Sequence, residues 1–207
     1  MLYVFDEGHA ESTLGKCSPD RRFREYKYNR EIVALVGQKL DELGIRWVRT
    51  VNPSDPADKP LTKRAEAANA WARGNGAGNT ILISVHSNAA GNGKQWMNAK
   101  GWAVYTTKGN TNSDKYATIF CEEAKKVCDR LGRKIRKDTS DGDPDFEENF
   151  TVIEKTICPS ILIEEFFYDN LEEMEWLLSD EGRNACAEII IDSILAIEGG
   201  TSGRRDV

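Results

Sequence analysis

The chain has only two histidines, and both stand where a predicted strand ends. His9 follows the apolar residues 2–5, and His86 closes the apolar run that begins at Thr80. Taken singly, a histidine at a strand end is more often a structural residue than a ligand. Because both histidines of the chain stand at strand ends, a catalytic zinc site is favoured. Such a site takes three protein ligands from His and carboxylate side chains and leaves a fourth position to water.

Glu25 is a candidate for the third ligand. It stands at the start of a predicted helix, and the loop of residues 10–24 could fold it back beside His9. The helix dipole alone also favours acidic residues near helix N-termini, so the position has an ordinary explanation as well. The sequence therefore offers two histidines and one carboxylate as a candidate ligand set.

A metal-dependent hydrolase also needs a group that moves protons, because the attacking water must lose a proton and the departing amine must gain one. Glu164 and Glu165 follow the apolar residues 160–163 and interrupt a run that continues through Phe166 and Phe167. Burying a carboxylate in such a run is costly unless a cation or a metal lies near. Neighbouring strand residues point to opposite faces, so one of the two glutamates is expected to face a polar site.

The elements that must position these side chains are predicted from hydrophobic periodicity. The predicted strands are residues 2–5, 45–51, 80–86, 102–106, 150–153 and 160–165. The predicted helices are residues 25–43, 61–73, 113–131 and 171–197, the last with a break near Gly182. This alternation predicts an α/β fold: a single domain with a mostly parallel twisted sheet of about six strands and helices on both faces. We expect the domain to span residues 1–198 and a flexible tail to span residues 199–207.

Composition and charge exclude several classes of protein. The chain has 207 residues, of which 40% are hydrophobic and 30% charged, a profile typical of one globular domain. The net charge of -6 has the wrong sign for wrapping a nucleic acid, and no stretch approaches the roughly 18 to 20 apolar residues of a membrane span. Five cysteines, an odd number without a Cys-x-x-Cys pair, argue against a disulfide framework. We therefore expect no nucleic-acid partner and no membrane span.

Four short motifs occur in order along the chain. They are Asp6-Glu7-Gly8-His9, Glu25-Tyr26-Lys27-Tyr28-Asn29, Ser84-Val85-His86-Ser87-Asn88-Ala89, and Pro159-Ser160-Ile161-Leu162-Ile163-Glu164 with Phe167 and Asn170 after it. They resemble the Asp-x-Gly-His, Glu-x-x-x-Asn, Ser-x-His-x-Asn-Ala and Pro-x-x-Leu-x-Glu-x-x-Phe-x-x-Asn elements of the type 3 zinc-dependent N-acetylmuramoyl-L-alanine amidases, which cleave peptidoglycan. Each motif alone is weak, but four in sequence with compatible spacing are a strong signal.

The resemblance implies a function and a role for each site residue. It implies one zinc ion held by His9, Glu25 and His86, and it selects Glu164 over Glu165 as the residue that moves protons. The implied reaction uses a zinc-activated water to hydrolyse the amide between the lactyl group of N-acetylmuramic acid and L-alanine of the stem peptide. Asn88 is a candidate for orienting His86 or for binding substrate. Zinc is thus the expected cofactor and peptidoglycan the expected partner.

Two alternatives of other classes stay open. A zinc carboxypeptidase acting on wall peptides could share the sheet and the metal, although its usual His-x-x-Glu spacing is absent from residues 9–12. A non-catalytic peptidoglycan-binding module would bind the wall without cutting it. The N-terminus has no basic segment and no cleavage site after an apolar stretch, so we expect no signal peptide, synthesis in the cytoplasm and action on the cell wall. We expect a monomer.

Overall fold

The computed structural model describes residues 1–199, and one sheet of six strands lies within them. In chain order the strands are β1 (Leu2–Glu7), β2 (Arg46–Arg49), β3 (Thr80–Asn88), β4 (Ala103–Thr106), β5 (Phe146–Glu147) and β6 (Ser160–Phe167). Their order across the sheet is β2-β1-β3-β6-β4-β5. The expected tail lies outside the described residues, apart from Gly199.

The sheet is mostly parallel, as the sequence predicts. Strands β1, β3 and β6 are neighbours and run in the same direction, and the pairs β1–β2 and β4–β5 are parallel as well. Only β4 runs antiparallel to its neighbour β6 among the strands of the described residues. Because β1, β3 and β6 end at the same edge of the sheet, the side chains at their carboxyl ends meet there.

Six α-helices flank this sheet within residues 1–199. They are α1 (Glu25–Glu42), α2 (Leu61–Asn75), α3 (Asp114–Leu131), α4 (Thr151–Glu154), α5 (Leu171–Leu177) and α6 (Asp180–Ile197). The predicted break in the last helix falls at Ser179, slightly before Gly182. The hydroxyl of Ser179 accepts a hydrogen bond of 3.0 Å from the Gly182 N–H and so caps α6.

The prediction of a strand at residues 150–153 is wrong. Phe150 has an extended backbone, but Thr151 already begins the short helix α4, which buries Val152 and Ile153. A short apolar run does not distinguish a strand from a buried helical turn, because both bury the same side chains. The edge strand of the sheet is instead β5, just before these residues, where Phe146 pairs with Tyr105 of β4.

The two faces of the sheet pack against different helices. One face carries the larger core, in which Phe5, Ile83 and Ile163 pack with buried residues of α1, α3 and α6. The opposite face, here called the site face, buries Leu82 and Leu162 with residues of α2 and α4. Side chains alternate between the two faces along a strand. The later site-face residues of β3 and β6 therefore lie beyond this smaller core, at the carboxyl edge of the sheet. The polar side chains of the candidate site stand there.

All five cysteines lie in the described part of the chain, and each is a free thiol. Four of them are buried, and Cys17 is half-buried. In residues 1–199, none of the helices combines the length and the apolar character that crossing a bilayer requires.

Candidate functional site

His9, Glu25 and His86 meet at the carboxyl edge of the sheet. One ligand atom from each residue lies within 4.8 Å of the corresponding atoms of the other two. Oε1 of Glu25 is 3.1 Å from Nδ1 of His86 and 3.4 Å from Nε2 of His9. The imidazole rings are perpendicular, with centroids 5.1 Å apart. The three side chains that the sequence nominates are therefore neighbours in space.

Glu25 is a buried carboxylate between two imidazoles, and its side chain is only 2% exposed. Burial favours the neutral acid, but the hydrogen bonds and charges of His86 and His9 outweigh it and hold the pKa of Glu25 well below its ordinary value. In turn, burial acts to lower the pKa of His86, and Glu25 overcomes this effect and raises it. Oε2 of Glu25 has no hydrogen-bond partner among residues 1–199. Its ion pair with Nζ of Lys16 is long, at 4.0 Å, so this oxygen is available to a closer cation.

The turn after β1 brings His9 to the site and depends on Gly8. A Cβ atom at position 8 would lie 2.3 Å from Cε1 of His86, which is closer than any side chain allows. His9 itself has a φ of 66°, in the left-handed region that non-glycine residues rarely adopt. Asn29 on α1 supports this turn, because its Nδ2 donates a hydrogen bond of 3.2 Å to the carbonyl oxygen of Gly8. The strained backbone is thus held by its surroundings.

Arg64 on α2 is a second support of this turn, and the sequence analysis did not identify it. Its side chain is 1% exposed, and it donates hydrogen bonds to the carbonyl oxygens of Glu7 at 2.8 Å and His9 at 3.2 Å. It also pairs with the carboxylates of Asp6 at 3.1 Å and Asp58 at 2.8 Å. An arginine in a charged helix usually lies on the surface, so no sequence signal marks this role.

Glu164 faces the same site from β6, where it pairs in register with His86 of β3. It lines a pocket of 380 Å³ together with Glu25, His86 and Asn88. Oε2 of Glu164 is buried and has no hydrogen-bond partner in the described part of the chain. Burial is the main cause that raises the pKa of Glu164 to about 7; the charge of His86 opposes the rise. The carboxyl group can therefore exist in both protonation states near neutral pH.

Glu165, the alternative left open by the residues alone, lies on the opposite face of the sheet. It is fully buried in the larger core and does not reach the pocket. Asn88 lines the pocket at the end of β3, and its Oδ1 accepts a hydrogen bond of 2.8 Å from the N–H of Ala89. That contact fixes the Asn88 amide beside the candidate ligands. Its role toward substrate stays a prediction.

Comparison with known proteins extends these observations. The family model described as N-acetylmuramoyl-L-alanine amidase matches residues 4–196, which is nearly the whole chain. The chain belongs to this family. The family that the four motifs predict is thereby confirmed.

A curated relative of the amidase family is the N-acetylmuramoyl-L-alanine amidase CwlM of Bacillus licheniformis. It is 29% identical over 181 residues, which cover 86% of this chain and 62% of the relative. The chain thus spans less than two thirds of that relative's length.

Solved structures of other family members share the fold. The catalytic domain of CwlV from Bacillus (Paenibacillus) polymyxa var. colistinus superposes with a TM-score of 0.77 and 22% identity, covering 97% of this chain and 99% of that one. The amidase of Clostridium difficile 630 superposes with a TM-score of 0.79 and 23% identity, covering 98% of both chains. At this level of identity the likeness establishes the α/β amidase fold. The fold class predicted from the sequence is therefore confirmed.

Proposed function

We propose that this chain is a zinc-dependent peptidoglycan amidase, which hydrolyses the amide bond between the lactyl group of N-acetylmuramic acid and L-alanine of the stem peptide. The observation that carries the proposal is the convergence of His9, Glu25 and His86 within 4.8 Å, with Glu164 lining the same pocket as Glu25 and His86. Membership of the amidase family supports this assignment over the two alternatives from the sequence.

The chemistry of the donor set fits one zinc ion. Two histidines and one carboxylate are a known ligand set of catalytic zinc, and they leave a position open for water. Oε2 of Glu25 is a buried anionic atom with no hydrogen bond among the described residues and a long 4.0 Å contact to Nζ of Lys16, so a cation closer to it would stabilise it. When bound there, zinc supplies a Lewis acid for the amide carbonyl and lowers the pKa of water to about 7.

Glu164 is proposed to carry the proton during hydrolysis. Its carboxylate takes a proton from the water as the water oxygen forms a bond to the amide carbon. The same carboxyl group then delivers that proton to the nitrogen of L-alanine as the carbon–nitrogen bond breaks. The products are a lactyl carboxylate and a free amino group. Burial keeps the pKa of Glu164 at about 7, which suits a group that must both accept and donate a proton near neutral pH.

Asn88 is proposed to contact the substrate. Its side-chain amide lines the pocket beside His86 and Glu164. An amide in this position can donate a hydrogen bond to a substrate carbonyl oxygen and hold the scissile bond beside Glu164. The cell wall is the proposed place of action, and the monomeric state stays an expectation.

Product analysis distinguishes the amidase from its two alternatives. Zinc-loaded protein incubated with purified peptidoglycan is expected to release new amino groups on L-alanine and new free lactyl groups on muramic acid, identified by mass spectrometry. Release of single amino acids from the stem-peptide carboxyl end would instead indicate a carboxypeptidase. Co-sedimentation with peptidoglycan without any new amino group would indicate a binding module.

A further inference from the structure

A pocket of 630 Å³ lies at one edge of the sheet, away from the proposed catalytic pocket. It runs along β2, the outermost strand on that side, and takes further lining residues from the carboxyl-terminal parts of α1 and α2. Leu2 at the start of β1 lines it, whereas His9 follows the end of the same strand. A strand of six residues spans roughly 20 Å, so ligands can occupy both places at once.

Trp47 offers an open backbone amide to this pocket. Within residues 1–199, β2 pairs only with β1, and the Thr50 N–H donates a hydrogen bond of 2.9 Å to the carbonyl oxygen of Phe5 in β1. Backbone groups of successive strand residues point to opposite sides, so Trp47, three residues before Thr50, turns its N–H and its C=O to the free edge. Such open groups pair readily with a further amide.

The walls of the pocket are apolar and aromatic. Ile45 and Val48 line it with half-buried aliphatic side chains, and Trp71 of α2 contributes an indole that is 47% exposed. In the described part of the chain, the Trp71 ring has no aromatic or cationic partner and its Nε1 donates no hydrogen bond. The face of an indole is electron-rich and attracts the weakly positive C–H groups of a flat apolar surface.

The charges of the pocket cancel. Asp41 and Arg46 are its charged lining residues. Oδ1 of Asp41 accepts a hydrogen bond of 2.8 Å from Nε1 of Trp47, and the Arg46 guanidinium donates one of 2.9 Å to Oδ1 of Asn75. These contacts hold the polar side chains in place before any ligand arrives. One charge of each sign suits a neutral ligand with hydroxyl groups rather than an ion.

The sequence of β2 argues against a second copy of this chain as the occupant. Two β2 strands paired antiparallel about their centres would place Arg46 of one copy opposite Arg49 of the other. Like charges directly opposite each other destabilise a strand pair. The open edge is therefore better suited to a small ligand that carries its own amide.

An acetamido sugar combines the groups that this pocket can bind. Its amide C=O and N–H can pair with the open N–H and C=O of Trp47, as the backbone of an added strand would. The C–H face of the sugar ring can pack on Trp71, and the ring hydroxyls can bond to Asp41 and Arg46. N-acetylmuramic acid, the sugar of the proposed substrate, belongs to this class.

We propose that this pocket is a second glycan site, which binds an N-acetylated amino sugar of the cell-wall polymer. The inference goes beyond the proposed amidase function, because it assigns binding without chemistry to the opposite edge of the sheet. The open amide of Trp47 beside the exposed indole of Trp71 is the observation that carries it. A second contact with a polymer raises the effective concentration of scissile bonds at the catalytic pocket.

Titration calorimetry with two neutral trisaccharides tests the class of ligand. The N-acetylglucosamine trimer carries acetamido groups where cellotriose carries hydroxyl groups, and neither contains the lactyl amide of the proposed reaction. The affinity for the acetamido trimer is expected to be at least about fivefold higher, because two additional hydrogen bonds to neutral groups form. Equal affinity for the two trisaccharides would overturn the proposal.

Two variants locate the bound trimer. Trp71→Ala removes the exposed indole and is expected to weaken the affinity by about tenfold or more. Gly74→Leu fills the pocket and is expected to abolish binding. A Cβ atom at position 74 meets nothing within 4 Å, and leucine favours a helix more than glycine does, so the fold is retained. Trp96→Ala, which removes an indole 36% exposed outside this pocket, is the matched control and should bind like the parent.

Two further outcomes would overturn the assignment. One is binding of the acetamido trimer that Trp71→Ala and Gly74→Leu both leave unchanged, which would place the sugar elsewhere. The other is a dimer in sedimentation that Gly74→Leu dissociates, which would assign the pocket to a second copy.

Cleavage assays separate this proposal from the amidase function. Trp71→Ala is expected to raise KM for polymeric peptidoglycan about tenfold, with kcat unchanged, and to match the parent on a soluble muramoyl dipeptide, which is too short to reach both sites. An unchanged KM on the polymer would contradict a role of the pocket in holding the wall. A parent protein that cleaves neither substrate would contradict the amidase function alone, since the calorimetric comparison does not depend on cleavage.

Discussion

Replacing Glu164 with glutamine is expected to lower kcat for peptidoglycan hydrolysis by about 10²- to 10⁴-fold, the usual contribution of a general acid–base group, while zinc stays bound. Glutamine preserves the size and polarity of the side chain but cannot take up the proton of water. Glu164 is not one of the three clustered ligand candidates, so metal content should not change. The measurement is the rate of amino-group release at saturating peptidoglycan, with zinc content determined on the same samples.

Glu165→Gln is the matched control for this variant. It makes the same chemical change at the adjacent residue of the same strand, on the face turned away from the pocket. Its turnover is expected to stay near that of the parent protein. A Glu164→Gln protein that retains zinc and cleaves at the parental rate would contradict the proposed role of Glu164.

Glu165→Gln is also expected to raise the free energy of unfolding near pH 9 by about 3 to 5 kcal/mol, because a pKa shift of one unit corresponds to 1.36 kcal/mol. Glu165 is fully buried, and neither carboxylate oxygen has a hydrogen-bond partner among residues 1–199. Burial is the main cause that raises its pKa from 4.5 to about 8; the neighbouring Cys186 thiol opposes the rise. The amide of glutamine avoids the buried negative charge at every pH.

The direction of this effect follows from proton binding. Between pH 4.5 and about 8 the folded protein holds the Glu165 proton, whereas the unfolded chain has released it. The stability contributed by this group is complete below pH 4.5 and is lost as the pH rises to about 8. Other buried carboxyl groups add their own pH dependence, so the informative quantity is the difference between parent and variant.

Urea unfolding of the parent and of Glu165→Gln from pH 4 to 9 measures this difference. The free energies of unfolding of parent and variant should nearly coincide at pH 4 and separate progressively toward pH 8. Glu31→Gln, a change at a half-buried position of α1, serves as a control whose curve should remain parallel to that of the parent. Parallel curves for Glu165→Gln as well would show that the buried carboxyl group is not protonated as described.

The sequence was sufficient to predict that His9, Glu25 and His86 lie close together, because they stand at the ends of elements that converge. The two histidines follow β1 and β3, and Glu25 begins α1, so the parallel topology places them at one edge. Strand alternation alone left Glu164 and Glu165 equivalent. Only the resemblance to a family motif, and then the structure, separated the glutamate of the pocket from the glutamate of the core.

Other features depend on tertiary contacts that no local pattern encodes. The buried position of Arg64 results from backbone carbonyls and carboxylates that lie far away in the sequence. The acidic composition of residues 138–145 is typical of a solvated loop, yet packing against Thr106 buries Asp145 at the end of this segment. Periodicity fails in the same way at residues 150–153, where one helical turn buries the side chains that a strand would have buried.

We propose that one zinc ion, held by His9, Glu25 and His86, is required for cleavage of the amide bond. The most direct test follows a single preparation, with zinc content and peptidoglycan digestion measured before chelation, after chelation and after one equivalent of zinc is restored. We expect about one zinc per chain, loss of digestion with loss of the metal, and recovery when zinc returns. Undiminished digestion by the metal-free protein would contradict it.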